Sequence, residues 1–387
     1  MRAKPASDSD MTQLAARPLL PLKDLVKQDL DRICKALESE FAAMAGQHLL
    51  VTGGAGFLGY YLVQAALHAG RSGRHAPIHV TVWDNFARGR PEWLDALSAD
   101  EHLYVQAYDL TQPLPASMPA FDWIVHAAGI ASPTYYRKKP LETMDANITG
   151  LRNLLEYAAR RGDGGTPLGG FLFFSSSEIY GDPDPAWVPT PEHYRGNVSC
   201  TGPRACYDES KRYGETLCTV FAQHHGVPVK MARPFNNYGP GLKLNDRRVI
   251  PDFARDVLAG RDIVMFSDGS PRRTYCYATD AITGYFKVLV RGRPGEPYNV
   301  GVEGPEISVA ELAERVVTAA AELFDYRGRV RRQSSAEAAY LVDNPVRRCP
   351  DIRKARAEIG YAPSVSIDEG LRRALTWYAQ APQGSER

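Results

Sequence analysis

The sequence predicts an α/β fold, in which a doubly wound parallel sheet is followed by a smaller α/β lobe towards the C-terminus. Three observations support this prediction. An apolar run at 49–51 leads into glycines at 53, 56 and 59 and then into an apolar pattern with helical spacing. From residue 78 to about 240, strand-like runs alternate with helical patterns, which makes a sheet parallel with right-handed connections. Beyond about Gly241 the alternation loosens into short strands mixed with helices.

Composition and charge reduce the number of functions that we expect for this chain. The chain has 387 residues, 44% of them hydrophobic and 24% charged, as in ordinary globular proteins. Its net charge of +1 gives no electrostatic case for nucleic acid or an anionic membrane as a partner. Six cysteines are scattered without a C-x-x-C pair, so we expect reduced thiols, no metal site and a cytoplasmic location. We expect neither a signal peptide nor a membrane-spanning segment.

The glycine turn has the pattern of a dinucleotide site, so the sheet is expected to be of the Rossmann type. Gly53 permits the tight turn, Gly56 lets the backbone approach a pyrophosphate, and Gly59 lets the next helix pack closely on the strand. The helix N-terminus supplies unpaired N–H groups and a partial positive charge for that pyrophosphate. Phe57 and Leu58, in the same turn, are expected to contact the cofactor.

An acidic residue ends the next strand, which separates this pattern from an ordinary βαβ unit with a packing turn. Asp84 follows the alternating run 78–83 at the expected distance from the glycines, and its carboxylate would bind the adenosine ribose hydroxyls of NAD. Arg88 and Arg90 leave NADP possible as the cofactor, because a guanidinium can bind the 2′-phosphate that distinguishes it from NAD. The remaining predicted cofactor contacts lie near the ends of the first strands: Asn85, Phe86, Asp109, Leu110 and Ala127.

Polar residues follow the central strand. The segment from Leu141 to Arg160 has helical spacing, and the apolar run 171–174 predicts a strand. Ser176 and Glu178 come directly after that strand, at the edge where open α/β sheets bind ligands. His126, in the preceding strand, is expected to be a hydrogen-bonded core residue.

Tyr207 and Lys211 are four residues apart and therefore lie on one face of a helix. A phenol with a pKa of about 10 is a poor base at neutral pH. A cationic Lys211 and an oxidised nicotinamide would stabilise the phenolate, so that Tyr207 could exchange a proton with a substrate hydroxyl. Such a pair is common on helix surfaces, but its position after the glycine turn and the strand-end serines favours catalysis.

Together these segments resemble the extended short-chain dehydrogenase/reductase family of NAD-dependent nucleotide-sugar epimerases and dehydratases. The resemblance covers about residues 48–380. Its motifs are the glycine turn 53–59, the segment 176–181, the Tyr207–Lys211 pair and the segment 233–239. More narrowly, four segments are similar to the UDP-glucuronate decarboxylases, the UDP-xylose synthases: 197–212, 131–133, 245–249 and 344–352.

The resemblance implies a reaction in which the cofactor is recycled. Tyr207 would take the proton of the sugar 4-hydroxyl while hydride passes to NAD, and Lys211 would tune the phenol and hold the nicotinamide ribose. Ser176 would hydrogen-bond the same oxygen. The resulting 4-keto uronic acid is a β-keto acid and loses carbon dioxide, after which C4 is reduced again to give UDP-xylose.

The resemblance also implies roles for further residues and an assembly. Glu178 would lie close to C5 and order water or handle the proton there. Asn236 and Arg248 would hold the nucleotide diphosphate, and Arg273 would face the diphosphate or the carboxylate, since a planar guanidinium suits either anion. The helix 141–160 and the helix that carries Tyr207 would form a homodimer.

We therefore expect three regions. Residues 1–47 form an N-terminal extension with an amphipathic helix from about Leu22 to Ala45, which packs on the main domain or on a neighbouring subunit. Residues 48–240 form the NAD-binding domain with the catalytic residues. Residues 241–387 form mainly the substrate-binding lobe, and some of its segments return to the first domain.

Three alternatives remain open. A nucleotide-sugar 4-epimerase would reduce the ketone on its other face. The 4,6-dehydratases have an aspartate and a glutamate after the serine or threonine, and here Ser177 stands at the aspartate position. A non-catalytic NAD sensor or scaffold is opposed by the intact set of Ser176, Tyr207 and Lys211. The segments 127–130 and 272–276 depart from the decarboxylase pattern, which leaves the substrate more open than the fold.

Overall fold

The computed structural model describes residues 18–71, 73–334 and 342–382. The strands, in chain order, are β1 (His48–Thr52), β2 (His79–Asp84), β3 (Leu103–Ala107), β4 (Trp123–His126), β5 (Gly170–Phe174), β6 (Val229–Pro234), β7 (Asn237–Tyr238), β8 (Ile263–Met265), β9 (Arg272–Arg273), β10 (Cys276–Tyr277), β11 (Pro297–Val300), β12 (Ile307–Ser308), β13 (Val330–Arg332) and β14 (Arg347–Arg348). The helices are α1 (Leu22–Ala36), α2 (Glu38–Ala43), α3 (Gly59–Arg71), α4 (Glu92–Asp95), α5 (Pro133–Lys138), α6 (Pro140–Asp145), α7 (Leu151–Asp163), α8 (Ala205–His225), α9 (Val249–Leu258), α10 (Ala278–Arg291), α11 (Val309–Phe324), α12 (Arg353–Ile359) and α13 (Ile367–Gln380).

A seven-stranded sheet lies at the centre of the molecule in the order β3-β2-β1-β4-β5-β6-β11. Every neighbouring pair in it is parallel. The strand order reverses between β1 and β4, and a parallel sheet opens a crevice at such a point, outside the carboxyl ends of the strands. The predicted fold class, a doubly wound Rossmann-type sheet, is confirmed.

Helices cover both faces of this sheet because its strands are apolar on both sides. Leu49 and Val51 of β1 belong to a core shared with α1, α3 and α10, whereas Leu50 belongs to a second core shared with α7 and α8. Successive strand residues point to opposite faces, so a strand buried on both sides reads as a continuous apolar run. The apolar run before the glycine turn is such a strand.

The N-terminal extension packs on the main domain of its own chain as two helices, because Leu37 leaves helical geometry between α1 and α2 (φ −119°, ψ 21°). In α1, Asp29 is fully buried. Its carboxylate accepts hydrogen bonds from the hydroxyls of Tyr61 (2.5 Å) in α3 and Tyr277 (2.7 Å) in β10. Arg373 of α13 completes the set at 2.7 Å. Four elements distant in sequence are thus joined at one carboxylate.

The helix predicted from Leu141 to Arg160 is not a continuous α-helix. It begins as α6, passes through a π-helical turn at Ala146–Gly150 and continues as α7. The wider turn carries Asn147, whose Nδ2 donates a hydrogen bond to the Oγ of Ser210 on α8 (2.9 Å). Turns of this kind interrupt α-helices frequently at functional sites.

The chain beyond residue 240 contributes to both parts of the molecule. Strand β11 joins the main sheet, and α10 and α12 pack against it. Helices α9, α11 and α13 contact one another in the remaining lobe, which also contains the pairs β8–β13 and β7–β10 and the small sheet β12-β9-β14. No helix in the described ranges is both long and apolar enough to cross a bilayer.

Candidate active site

A cavity of about 750 Å³ lies over the carboxyl ends of the central strands, between the main sheet and the C-terminal lobe. The predicted residues that line it are Gly53, Gly56, Phe57, Leu58, Asp84, Asn85, Asp109, Leu110, Ala127, Ser176, Glu178, Tyr207, Lys211, Asn236, Arg248 and Arg273. Phe86 is the exception. Its side chain packs against the hydrophobic core, and its backbone N–H donates to Asp84 Oδ1 (2.8 Å). Its contact with the cofactor remains a prediction.

The glycine turn leaves no room for side chains. Gly53 has a φ of +69°, and a Cβ there would lie 2.5 Å from the Cα of Ala128. A Cβ on Gly59 would lie 2.1 Å from the carbonyl oxygen of Gly54, so the helix packs on the turn through bare backbone. Gly56 lines the cavity with its backbone. Such a cradle, at the N-terminus of α3, fits the diphosphate of a dinucleotide.

Asp84 joins the turn to the loop after β2. Its Oδ2 accepts a hydrogen bond from the Ala55 N–H (3.0 Å), and burial raises the pKa of this carboxyl although the backbone donors oppose the shift. Arg88 and Arg90, the two residues that left NADP possible as the cofactor, both interact with other side chains. Arg88 lies 4.2 Å from the ring centre of Tyr135 and pairs with Asp246 at 3.2 Å, while Arg90 pairs with Asp95. This side of the cavity therefore favours a ribose with free hydroxyls over a 2′-phosphate.

Tyr207 and Lys211 lie together in the buried floor of the site. The Tyr207 ring stacks on Tyr136 with centroids 5.1 Å apart, and burial raises the pKa of its phenol to about 12, although a hydrogen bond with Ser176 opposes the shift. Lys211 Nζ donates to the carbonyl oxygen of Phe174 (2.8 Å), and burial lowers the pKa of the amine to about 7. A phenolate at Tyr207 therefore needs positive charge beside it.

His126 is buried behind the site, as predicted. Its Nδ1 lies 2.8 Å from the Oγ1 of Thr52, while its Nε2 has no hydrogen-bond partner among the described residues. Burial, and then the charge of Lys211, lowers the pKa of the imidazole to about 3. His126 is therefore neutral and not a proton donor for the reaction.

Glu178 is held by two arginines. Arg348 binds its carboxylate through both oxygens (2.7 and 2.5 Å), and Arg204 contacts Oε2 at 2.5 Å. Although burial opposes the shift, the two guanidiniums hold the pKa of Glu178 well below its ordinary value. In this arrangement Glu178 is an ion-paired anion, and the role of proton handling at C5 remains a prediction.

The three residues that are predicted to contact the substrate already have different partners within the protein. The Asn236 side chain donates to the carbonyl oxygen of Thr274 (2.9 Å), and Arg248 lies 3.3 Å from Asp246. Arg273 donates to backbone carbonyls, among them that of Val346 (3.1 Å), and these carry no net charge to neutralise it. Burial, and then the charge of Arg348, lowers the pKa of Arg273 to about 10.

Sequence reasoning missed four polar residues, of which Arg204 and Arg348 line the cavity and Asn147 and Asp208 do not. The amide oxygen of Asn147 is buried without a partner in the described structure. Arg204 and Asp208 flank Tyr207 in the segment 197–212, and their i, i+4 spacing is a signal for an ion pair on one helix face. Arg348 lies in the segment 344–352, but no local pattern relates it to Glu178.

Comparison with known proteins decides the family. Residues 49–301 match the model of the NAD dependent epimerase/dehydratase family. The chain belongs to this family. The predicted family, the prediction of an enzyme and NAD as the cofactor are thereby confirmed, and the epimerase/dehydratase match spans both the glycine turn and the Tyr207–Lys211 pair.

Two relatives of this epimerase/dehydratase chain have decarboxylase names. It is 34% identical to UDP-glucuronic acid decarboxylase 1 of Xenopus tropicalis, over 86% of this chain and 72% of the relative. It is 35% identical to UDP-glucuronic acid decarboxylase 3 of Arabidopsis thaliana, over 84% of this chain and 86% of the relative.

Two solved structures share the fold along most of the chain. A dTDP-glucose 4,6-dehydratase from Streptomyces venezuelae, solved with NAD bound, superposes with a TM-score of 0.72 at 27% identity, covering 86% of this chain and 96% of the other. An epimerase from Methanothermobacter thermautotrophicus gives a TM-score of 0.74 at 26% identity, covering 89% and 96%.

Proposed function

We propose that this chain converts UDP-glucuronate into UDP-xylose and carbon dioxide through a 4-keto intermediate. The names of its relatives support the reaction, and one observation in the structure supports the substrate. The cavity wall beside Tyr207 carries three arginines, Arg204, Arg273 and Arg348, around a single strongly acidic carboxylate, that of Glu178. A buried excess of positive charge favours an anionic ligand, and a uronate places a carboxylate on the sugar itself.

Three residues of the chain have separate roles around the sugar C4 oxygen. Tyr207 takes the proton of the 4-hydroxyl, and Ser176 hydrogen-bonds the same oxygen. Protonated Lys211 stabilises the phenolate and the nearby ribose hydroxyls. The chemistry that NAD supplies when bound is the removal of two electrons at C4 and their later return. When the C5–C6 bond breaks, its electron pair moves into the 4-ketone, and Tyr207 and Ser176 stabilise the negative oxygen.

Decarboxylation also requires a new proton at C5, because carbon dioxide leaves without one. Glu178 is the acidic residue of the cavity wall beside Ser176, which supports its predicted role there. Its carboxylate is ionised and both oxygens are engaged by arginines. Glu178 can therefore deliver a proton only after it has left at least one of these partners.

The test is mass spectrometry of the products after incubation of the purified protein with UDP-glucuronate and NAD. A UDP-pentose with release of carbon dioxide is the expected result. A product of unchanged mass that is resolved as UDP-galacturonate would establish the 4-epimerase instead. A 4,6-dehydratase removes the C6 hydroxyl, which UDP-glucuronate does not have, so a parallel incubation with UDP-glucose and NAD tests this alternative. Loss of water there would indicate a 4,6-dehydratase, although Ser177 occupies the position of the aspartate in those enzymes. Unchanged UDP-glucuronate would refute the proposed nucleotide sugar.

We also propose that the protein is a homodimer. Large apolar side chains are exposed on α6 and α8, which pack against each other: Leu141, Met144, Tyr213 and Val220. Leu141 is the most exposed of the four, at 70%. Exposed apolar residues on two adjacent helices favour burial against a second copy. Light scattering should give the mass of a dimer for the wild type and a monomer for Leu141→Glu combined with Val220→Glu.

A cytoplasmic location is a further proposal, and the cysteines support it. All six are free thiols, and burial raises the pKa of Cys218, Cys276 and Cys349 above the ordinary value, so these three are kept in the unreactive thiol form. Free thiols are typical of reducing compartments. Fractionation of cells that express the tagged full chain would check the location.

A further inference from the structure

The guanidinium of Arg204 lies between two carboxylates. One of its terminal nitrogens is 2.5 Å from Glu178 Oε2, whereas its Nε is 3.8 Å from Asp208 Oδ2, which is beyond hydrogen-bond distance. Within the described ranges, neither Arg204 Nε nor Asp208 Oδ1 has a hydrogen-bond partner. Both side chains are only 6% exposed. A buried polar atom without a partner is costly, so this half-formed pair requires an explanation.

The two carboxylates have different positions relative to the cavity. Glu178 and Arg204 line it, and Asp208 lies behind Arg204 on the next turn of α8. Since residues four apart in a helix are neighbours, a shift of about 1 Å in Arg204 would close the Nε–Oδ2 distance to that of a charge-assisted hydrogen bond. Arg204 can therefore be held from the cavity side by Glu178 or from the helix side by Asp208.

The charged and titratable groups that act most strongly on Asp208 come from several elements. They are Glu178 after β5, Arg204 and Tyr207 at the start of α8, Tyr136 in α5, Arg348 in β14 and Asp343 before β14. Burial, and then the negative charge of Glu178, raises the pKa of Asp208 to about 8, although Arg204 and Arg348 oppose the shift. While Glu178 keeps its arginines, Asp208 is therefore mostly protonated at neutral pH.

We infer that Asp208 is a positioning residue, whose carboxylate takes over Arg204 when Glu178 turns from its arginine towards the substrate. This inference rests on the proposed decarboxylation. Asp208 loses a proton and Glu178 gains one, so the charge of the cluster is unchanged. Glu178 then gives its proton to C5, where the C5–C6 bond has broken, and carbon dioxide leaves. One proton from solvent restores Asp208, which balances the consumption of one proton per decarboxylation.

Asp208→Asn tests this inference, and Glu209→Gln is its matched control. Glu209 is the next residue of α8, but it is 38% exposed and lies 3.5 Å from Arg212. Asparagine keeps the shape of the protonated aspartate and cannot ionise. We expect Asp208→Asn to release carbon dioxide about tenfold more slowly than the wild type at about pH 6, where the wild-type residue starts protonated and gives up its proton in the step. This deficit should shrink at about pH 9, where the wild-type residue has already lost that proton. The rate of C4 oxidation, followed by the absorbance of reduced cofactor, should not change.

Glu209→Gln should follow the wild type at every pH, and thermal melting checks that each variant is folded. A helix-stabilising role for Asp208 would lower the melting temperature without a pH-dependent loss of decarboxylation. An Asp208→Asn deficit that is absent, or equal at all pH values, would overturn the inference. Asp208→Glu should restore part of the rate at about pH 6, because it supplies a carboxyl group that can give up a proton and then carry the same charge.

A second measurement does not require turnover. In the inactive Tyr207→Phe protein, infrared difference spectra should show the protonated-carboxyl band of Asp208 without ligand and that of Glu178 once UDP-glucuronate is bound. Asp208→Asn should remove the first band, and Glu178→Gln the second. Unchanged bands on binding would overturn the inference even if the wild type decarboxylates. Band exchange in a wild type that releases no carbon dioxide would refute the proposed reaction instead.

Discussion

Lys211→Met is expected to stabilise the fold while abolishing activity. Burial lowers the pKa of Lys211 from 10.5 to about 7. Since one pKa unit corresponds to about 1.4 kcal/mol, the protonated amine costs the folded protein about 5 kcal/mol below pH 7. The hydrogen bond from its Nζ to Phe174, worth about 2 kcal/mol, offsets part of this cost. Methionine removes both contributions, so a net gain of about 3 kcal/mol is expected.

The sign of this effect depends on pH in a defined window. The folded protein binds the Lys211 proton less tightly than the unfolded chain does, so the cost is full below about pH 7 and declines as the pH rises. Above the ordinary lysine pKa of about 10.4 the amine is neutral in both states and the cost disappears. Urea unfolding without added nucleotide, at about pH 6, 8 and 10, should show the advantage of Lys211→Met shrinking at each step.

Lys230→Met is the matched control. Lys230 is also buried, donates to a backbone carbonyl (Leu289, 3.0 Å) and has its pKa lowered by burial, to about 8. It does not line the cavity. Lys230→Met should therefore stabilise the protein by a smaller amount and retain activity. A Lys211→Met protein that is less stable than the wild type at about pH 6 would show that the hydrogen bond outweighs desolvation, and the reasoning would be refuted.

Three further substitutions test single residues. Tyr207→Phe should abolish turnover with folding and NAD binding intact, as judged by melting curves and NAD titration; retained activity would exclude Tyr207 as the base. Glu178→Gln should slow carbon dioxide release more than C4 oxidation, because an amide can neither pair with both arginines nor give a proton to C5, and equal slowing of both steps would argue against this role. Gly53→Ala should weaken NAD binding about tenfold or more, because a Cβ there would lie 2.5 Å from Ala128. Gly73→Ala, also at positive φ but with nothing within 4 Å, should bind NAD normally.

Local sequence patterns were sufficient for the fold class and for much of the cavity lining. The glycine turn, Asp84 and the Tyr207–Lys211 pair each depend on residues within about one strand and one helix, and such spacing is readable without tertiary information. The hydrophobic period also placed the central strand, after which Ser176 and Glu178 follow.

Features that depend on distant contacts could not be read from the sequence. The π-helical turn at Ala146–Gly150 has ordinary helical periodicity in the sequence, and its hydrogen bond with Ser210 joins residues 63 positions apart. The two arginines on Glu178 come from different parts of the chain, and Arg348 is 170 residues away from it. The packing of Phe86 is a further example, since this residue lies two positions after Asp84 but its side chain packs against the hydrophobic core and does not line the cavity.

The position of Asp29 has a consequence for the order in which the chain folds during synthesis. Its partners are Tyr61, Tyr277 and Arg373, and the last of these lies 344 residues downstream. Domains generally form as units from the N-terminus while translation proceeds. Helix α1 can dock on α3 early, but the charge of Asp29 has no guanidinium beside it until the C-terminal helix leaves the ribosome. Completion of this site therefore has to wait until α13 has been synthesised and has docked.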